Sequence, residues 1–386
     1  MAEPVAVGLV GYKFMGKAHA NAYLTVNRFF DCTRPPLMRA VCGRDEQAVA
    51  EFAQRWGWQG HETSWEQLVS RSDIDLVDIG TPGHLHAPMA IAAAENGKHV
   101  LCEKPLANSL GECREMLAAV RKSGVTHMVN FNYRRCPAVG LMKRMIDQGE
   151  IGDIRHVRCV YLQDWLVDPA FPMNWRLRKE TAGSGALGDL GAHSVDLARY
   201  LVGEMTQVVG QQTTFIKTRP AEGTSSGISA TAGEGTEEVT VDDATMFLAK
   251  FEGGALGTFE ATRFAPGRKN YNRIEINGSR GSLVWCFEEM NYLDYYSTAD
   301  ISHSCGFRRI MATEGEHPYA GNWWPPGHIL GYEHAFVHAV YDLLEDIAAA
   351  RQSSPNFLDG ARCVAVLEAV ERSIADGKWA EVESVE

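Results

Sequence analysis

Val5-Ala6-Val7-Gly8-Leu9-Val10-Gly11-Tyr12-Lys13-Phe14-Met15-Gly16, followed by a helical pattern from Lys17, is the stretch on which the fold turns. Its six leading apolar residues read as a short buried strand. The glycines then turn the chain into a helix that starts at the carboxyl end of that strand. A helix start placed there favours anions, because its first amides are unpaired and its dipole is positive at that end. The dinucleotide fingerprint is Gly-x-Gly-x-x-Gly. Gly11 and Gly16 hold the first and third places, but Lys13 holds the second, so the pattern is broken. The middle glycine ordinarily lets the pyrophosphate approach the backbone. A lysine there would instead lay its amine beside a phosphate.

Strand and helix keep alternating beyond this turn. Met38–Cys42, Asp75–Ile79, His99–Cys102 and Thr126–Phe131 read as strands. Gln47–Trp56, Pro88–Asn96 and Leu110–Ser123 read as helices. This order predicts an α/β fold, a doubly wound parallel sheet with helices on both faces, over residues 1–133. The second strand runs into Gly43-Arg44-Asp45, where an acid usually meets the adenosine ribose. With no acid at Gly43 and Arg44 next, NAD and NADP both stay open. Arg44 either suits a ribose phosphate or is a solvated surface charge, and Asp45 remains within reach of the ribose hydroxyls.

The pattern changes over residues 134–386. A helix at Met142–Gln148 precedes an alternating strand, Ile154–Trp165. Further strands read at Val208–Lys217, Ala244–Phe251, Ala255–Arg263, Tyr271–Asn277 and Gly281–Phe287. Few helices interrupt them, which predicts an α+β domain with a mostly antiparallel sheet. Thr218–Glu237, rich in Gly, Ser, Thr and Ala, reads as a long mobile hairpin loop. Tyr332–Arg351 and Leu358–Asp376 read as helices that return to the first domain.

Bulk properties narrow the function. A chain of 386 residues exceeds one ordinary core, and 45% hydrophobic with 22% charged residues describes a soluble globular protein. A net charge of -12 argues against a nucleic-acid partner. No apolar run is long enough to span a membrane and Met1-Ala2-Glu3-Pro4 is no signal peptide, so a cytoplasmic location is expected. Nine cysteines without a Cys-x-x-Cys pair and 13 histidines without metal-ligand spacing give no metal signal.

Two clusters carry chemistry. Glu103-Lys104-Pro105 ends the His99–Cys102 strand, where ligands of an open α/β sheet lie. An amine at that place faces the crevice. A surface turn is the ordinary alternative. Further on, Gly183-Ser184-Gly185-Ala186-Leu187-Gly188 leads into Asp189-Leu190-Gly191-Ala192-His193, with Asp189 expected to open a helix. Spaced four apart, Asp189 and His193 project from one face, so the carboxylate can orient an imidazole that exchanges a proton with a hydroxyl. Alternatively Asp189 is only a cap and His193 its neighbour. Trp165 and Asn174-Trp175-Arg176 offer flat faces for a ring, though tryptophan also fills cores. Trp323-Trp324-Pro325-Pro326-Gly327-His328 is an aromatic loop whose histidine either lines a pocket or is structural.

Together these motifs resemble the Gfo/Idh/MocA oxidoreductases. The resemblance rests on Thr81-Pro82-Gly83-His84-Leu85-His86, on Ala94 through Pro105, and on Gly188 through His193. Asn132-Tyr133-Arg134-Arg135, Asn174-Trp175-Arg176 and the loop ending in His328 resemble the levoglucosan and inositol dehydrogenase branch. The resemblance implies a Rossmann domain, a second domain with a large open sheet, and dimers or tetramers built on that sheet. It implies NAD or NADP, and a sugar, anhydrosugar or cyclitol substrate. Lys104, Asp189 and His193 match the family's catalytic positions. Gly11, Lys13, Phe14, Met15, Gly16, Arg44, Thr81, Pro82, His84, His86, Glu103, Lys104, Trp175 and Arg176 are the implied cofactor contacts. Lys104, Asn132, Tyr133, Trp165, Asp189, His193 and His328 are the implied substrate contacts. Lys13, and Gly83 where asparagine is common, depart from the pattern. The expected activity is oxidation of a secondary hydroxyl by hydride transfer. A retained cofactor serving epimerisation or glycoside cleavage is the alternative, and a non-catalytic regulator a third.

Overall fold

Short strands alternate with helices through the first third of the chain. The computed structural model describes residues 3–226 and 229–386. β1 (Val5–Val10), α1 (Phe14–Phe29), β2 (Pro36–Cys42), α2 (Glu46–Trp56), β3 (His61–Glu62), α3 (Trp65–Ser70) and β4 (Leu76–Ile79) come first. α4 (His86–Glu95), β5 (His99–Cys102), α5 (Leu110–Ser123) and β6 (His127–Val129) follow. The strands form one parallel sheet in the order β3-β2-β1-β4-β5-β6. The order reverses between β1 and β4, and the crevice at such a point is where these sheets bind ligands.

Two glycines make the first turn possible. Gly11 has φ +108°, and a Cβ there would lie 2.7 Å from the Gly80 carbonyl oxygen. A Cβ on Gly16 would lie 2.2 Å from the Gly11 carbonyl oxygen. α1 can therefore start tight against β1. At the far side of the crevice, Ser109 and Glu112 cap α5 reciprocally, which fixes the chain just after Lys104 and Pro105.

The chain leaves this sheet after β6, passes through α6 (Pro137–Asp147) and enters a second sheet at β7 (Ile154–Leu162). α7 (Lys179–Ala182), α8 (Ala192–Val202), β8 (Met205–Thr213), β9 (Thr218–Ser226), β10 (Ser229–Glu238), β11 (Ala244–Phe251) and β12 (Leu256–Thr262) follow. Then come β13 (Tyr271–Gly278), β14 (Gly281–Cys286), β15 (Tyr292–Ser297), β16 (Arg308–Met311), α9 (Tyr332–Ala348), α10 (Phe357–Asp376) and β17 (Ala380–Glu381). Among the described residues this sheet runs β16-β15-β14-β13-β7-β12-β11-β8-β17, with β7 and β12 parallel and every other pair antiparallel. Along β7, Val157, Cys159 and Tyr161 are buried while Arg158 between them is exposed and His156 and Val160 are half-buried, so one face is covered and the other open.

The expected loop at 218–237 is instead an antiparallel ribbon of β9 and β10. Its register shifts between Ala230 and Ala232 and again between Ala232 and Thr236 let a glycine-rich segment pair without a regular side-chain pattern. Arg178 ties the ribbon's base, reaching Glu222 and Glu237 at 2.7 Å each. Gly227 and Ile228 lie outside the described residues. Of the two late helices, α9 packs on α1, where Phe336, Val340 and Leu344 join Ala20, Tyr23 and Val26 in one core. α10 lies against α5 and β6 on one side and α8 and β8 on the other, so it bridges the two sheets. Among the described residues no helix is long and apolar enough to cross a membrane.

Candidate active site

Lys104 stands one residue past β5 and its Nζ crosses to the second half of the chain. It donates to the Asp189 backbone oxygen at 2.8 Å and to Asp189 Oδ1 at 3.2 Å. Asp189 does not open an α-helix, as the spacing had suggested. It sits in a π-helical turn, Leu187–Gly191, which runs straight into α8. The wider turn leaves an extra residue per bond. The carboxylate pairs with Lys104, and no hydrogen bond joins it to His193 among the described residues. The turn is held by Asp242, whose carboxylate accepts from the amides of Gly185 and Leu187 at 2.6 and 2.9 Å.

Charge around Asp189 is strongly positive. Burial works to raise its pKa, but Lys104, Arg263 and Arg176 outweigh it and hold the carboxyl well below its usual range. Arg263 is fully buried, with Nη1 3.8 Å from Asp189 Oδ2. His193 is in the opposite state. Burial, then the Lys104 charge, push its pKa well below the ordinary histidine value, against the pull of Asp189. Its ring is surrounded by Tyr133 at 4.6 Å, Tyr161 at 5.9 Å and Phe131 at 6.4 Å. An ionised acid, an ammonium group and a neutral imidazole thus meet at the carboxyl end of the parallel sheet. That set can take a proton from a hydroxyl and stabilise the oxygen left behind.

Beneath Lys104 lies a buried network that the sequence reading did not single out. His19 on α1 places Nδ1 2.8 Å from Asp78 Oδ2 and Nε2 2.9 Å from Glu103 Oε1. Tyr23 donates to Asp78, and Asn130 to Glu103. Burial opposes a charged imidazole, yet the two carboxylates win and raise His19 to about 10. Glu103 is lowered despite its burial, because His19 and Asn130 bond to it. One signal was available: an aspartate inside the apolar strand Leu76-Val77-Asp78-Ile79 demands a buried partner.

The remaining expected residues separate into those brought to this crevice and those not. Tyr133 reaches it on a short turn locked by Arg134 to Asp196 at 2.6 Å and Arg135 to Asp342 at 3.0 Å. Arg176 faces Asp189, and its guanidinium lies 4.3 Å from the Trp175 ring. Trp165 stacks its edge on Phe171 and lies 5.7 Å from the Arg263 guanidinium. Asn132 is buried next to Tyr133. His86 is buried, and both ring nitrogens contact backbone oxygens, Thr81 at 2.9 Å and Pro105 at 2.9 Å. It therefore props the two loops that flank the crevice. Glu103 is turned into the His19 network. His84 is exposed beside the Thr181 carbonyl, and His328 is exposed with Nδ1 on the Pro325 carbonyl. Among the described residues no hydrogen bond or ring contact joins His328 to Lys104, Asp189 or His193. Gly83 acquires a reason: a Cβ there would lie 2.5 Å from Asn108 Oδ1, and Asn108 bonds across to Thr181.

The residues at the first turn fit a dinucleotide. No side chain caps α1, so its first amides stay open beside Gly11, Phe14, Met15 and Gly16. A Cβ on Gly43 would lie 2.1 Å from the Tyr12 ring, so any side chain there requires that ring to move. Asp45 caps α2 through the Ala48 amide, and Arg44 is exposed. Among the described residues no group of His, Cys, Asp or Glu is placed to hold a metal.

Comparison with known proteins agrees with this geometry. Residues 5–131 match the oxidoreductase family with an NAD-binding Rossmann fold, and residues 139–284 match the GFO/IDH/MocA C-terminal domain. The chain is 41% identical to levoglucosan dehydrogenase of Pseudarthrobacter phenanthrenivorans over 384 residues, 98% of each chain. It is 31% identical to the NAD-dependent scyllo-inositol 2-dehydrogenase of Bacillus subtilis over 73% of this chain and 74% of that one. Among solved structures, levoglucosan dehydrogenase in complex with NADH and levoglucosan superposes with a TM-score of 0.94 at 40% identity, covering 99% of this chain and 100% of that one. An oxidoreductase domain protein from Kribbella flavida gives 0.95 at 51% identity, with the same coverage. The chain belongs to the GFO/IDH/MocA family of oxidoreductases.

Proposed function

We propose that the protein is an NAD-dependent dehydrogenase that oxidises a secondary hydroxyl of a sugar, anhydrosugar or cyclitol. In this reading residues 1–133 bind the cofactor and residues 134–386 hold the substrate. The observation that carries it is the meeting of a neutral, buried His193 with Lys104 and an ionised Asp189 at the crevice. Bound NAD supplies a hydride acceptor. His193 takes the hydroxyl proton, its lowered pKa keeping the base form filled at neutral pH. Lys104 donates to the same oxygen and favours its anionic character. Asp189 anchors the Lys104 ammonium and offsets the positive charge that His193 gains. Arg176 and Arg263 keep Asp189 ionised, so it never competes for the proton. Trp165 and Tyr133 provide the flat and polar walls suited to a ring carrying several hydroxyls.

Arg44 is exposed next to Gly43, where no acid stands, which favours tolerance of NADP beside NAD. We further propose a homo-oligomer built on the open face of the second sheet, where Met246, Leu248 and Leu256 are exposed together. The function is tested by following reduced-nicotinamide absorbance with NAD or NADP and a panel of free sugars, anhydrosugars, glycosides and inositols. A rise with at least one ring polyol is expected. No rise with any compound, in protein that binds NAD, would contradict net oxidation.

A further inference from the structure

Next to His193 begins one run of hydrogen bonds, and its direction is fixed from the far end. The indole nitrogen of Trp165 can only donate. It donates to Gln163 Oε1 at 2.9 Å, which fixes the orientation of that amide. Gln163 Nε2 then donates to Asn270 Oδ1 at 2.8 Å. The Tyr161 hydroxyl donates to the same oxygen at 2.7 Å. With that proton committed, the Tyr161 oxygen accepts from the Tyr133 hydroxyl, 2.9 Å away. The Tyr133 proton is then committed too, so its oxygen acts as an acceptor, with the Asn270 side chain also within hydrogen-bonding reach of it. Turning the Asn270 amide over would set its Nδ2 against the Gln163 donor, so the alternative arrangement is closed. The Asn270 backbone is itself held by Glu288 Oε1 at 3.0 Å. Burial raises Tyr133 to about 12 and Tyr161 well above the ordinary value, so both phenols keep their protons at neutral pH.

We propose that Asn270 sets this direction and thereby makes Tyr133 a hydrogen-bond acceptor that selects a substrate with a hydroxyl donor near the carbon being oxidised. The ring of Tyr133 lies 4.6 Å from that of His193, which sets the two side chains next to each other. Tyr161, Gln163 and Asn270 are positioning residues here, and Tyr133 is the group that touches substrate. The inference rests on the dehydrogenase reading and specifies the substrate class that site accepts.

The test compares an accepted sugar with its monodeoxyfluoro analogues, because fluorine accepts but cannot donate. The wild-type enzyme is expected to lose at least about 10²-fold in kcat/KM for fluorine at one ring carbon other than the oxidised one. Asn270→Asp keeps an acceptor oxygen and should keep this discrimination. Asn270→Leu removes the acceptor, frees the Tyr133 proton to meet fluorine, and should narrow the discrimination by about tenfold or more. Tyr161→Phe removes the next acceptor with little change in shape and should narrow it likewise, which covers the case of a poorly folded Asn270→Leu. Wild-type enzyme indifferent to fluorine at every carbon would overturn the proposal. So would Tyr161→Phe and Asn270→Leu that discriminate as wild type does. Failure to oxidise any parent sugar or cyclitol would overturn the dehydrogenase reading and this inference with it.

Discussion

At the scale of single residues, burial decides which group takes the proton. His193 is kept neutral by burial and by Lys104, while Asp189 is kept ionised by three cations. His193→Ala should lower kcat/KM by roughly 10²–10⁴-fold, as should Lys104→Met if the ammonium stabilises the developing oxyanion to a similar degree. Steady-state kinetics checks both. Because the imidazole is shifted downward, kcat/KM should stay level through neutral pH and fall only below the ordinary histidine range. Arg44→Ala should reduce kcat/KM for NADP and leave that for NAD unchanged, as measured with each cofactor in turn. Lys104, Asp189 and His193 stood out in the sequence because they lie in compact motifs, but the pairing of Asp189 with Lys104 and not with His193 did not. His19, Arg263, Tyr161, Gln163 and Asn270 did not stand out either, since each acts through contacts between segments far apart in the chain. The contacts of His86 were hidden for the same reason: only the fold shows that both ring nitrogens face backbone carbonyls.

At the scale of elements, the strand β5 and helix α1 are joined by charge as well as by apolar packing. The imidazolium of His19 sits between Asp78 on β4 and Glu103 at the end of β5. Removing one member of a buried ionic set leaves uncompensated charge, so His19→Gln should cost about 3–5 kcal/mol. The folded pKa of about 10 lies above the unfolded value of about 6.5. The contribution is therefore complete below about pH 6.5 and is lost as pH rises through about 10. Denaturant unfolding of wild type and His19→Gln should show a stability gap that narrows across that window. The alternating strands of the first sheet were legible because buried parallel strands are short, apolar runs separated by helical periods. The ribbon β9–β10 was not, because its Gly, Ser and Thr content carries no alternation of apolar and polar residues. The π turn at Leu187–Gly191 was equally hidden, since a one-residue change in winding leaves no mark in composition.

At the scale of the whole molecule, the two sheets face one crevice from opposite sides, and α9 and α10 tie the carboxyl end back across both. The open sheet face is left with Met246, Leu248 and Leu256 exposed. Leu248→Glu should shift the particle toward a smaller species in light scattering coupled to gel filtration, while unfolding of the protomer changes little. The two-sheet division was legible from the change in strand pattern after β6. Which face stays open follows only from the alternation of buried and exposed residues along β7, β11 and β12 in the assembled sheet. The most direct test of the central claim is kcat/KM for NAD-dependent oxidation of the best ring polyol by wild type and His193→Ala from about pH 5 to about pH 9. A level wild-type profile through neutrality, with His193→Ala lower by at least about 10²-fold throughout, is the predicted result. Near-normal turnover by His193→Ala would contradict it and remove His193 as the base.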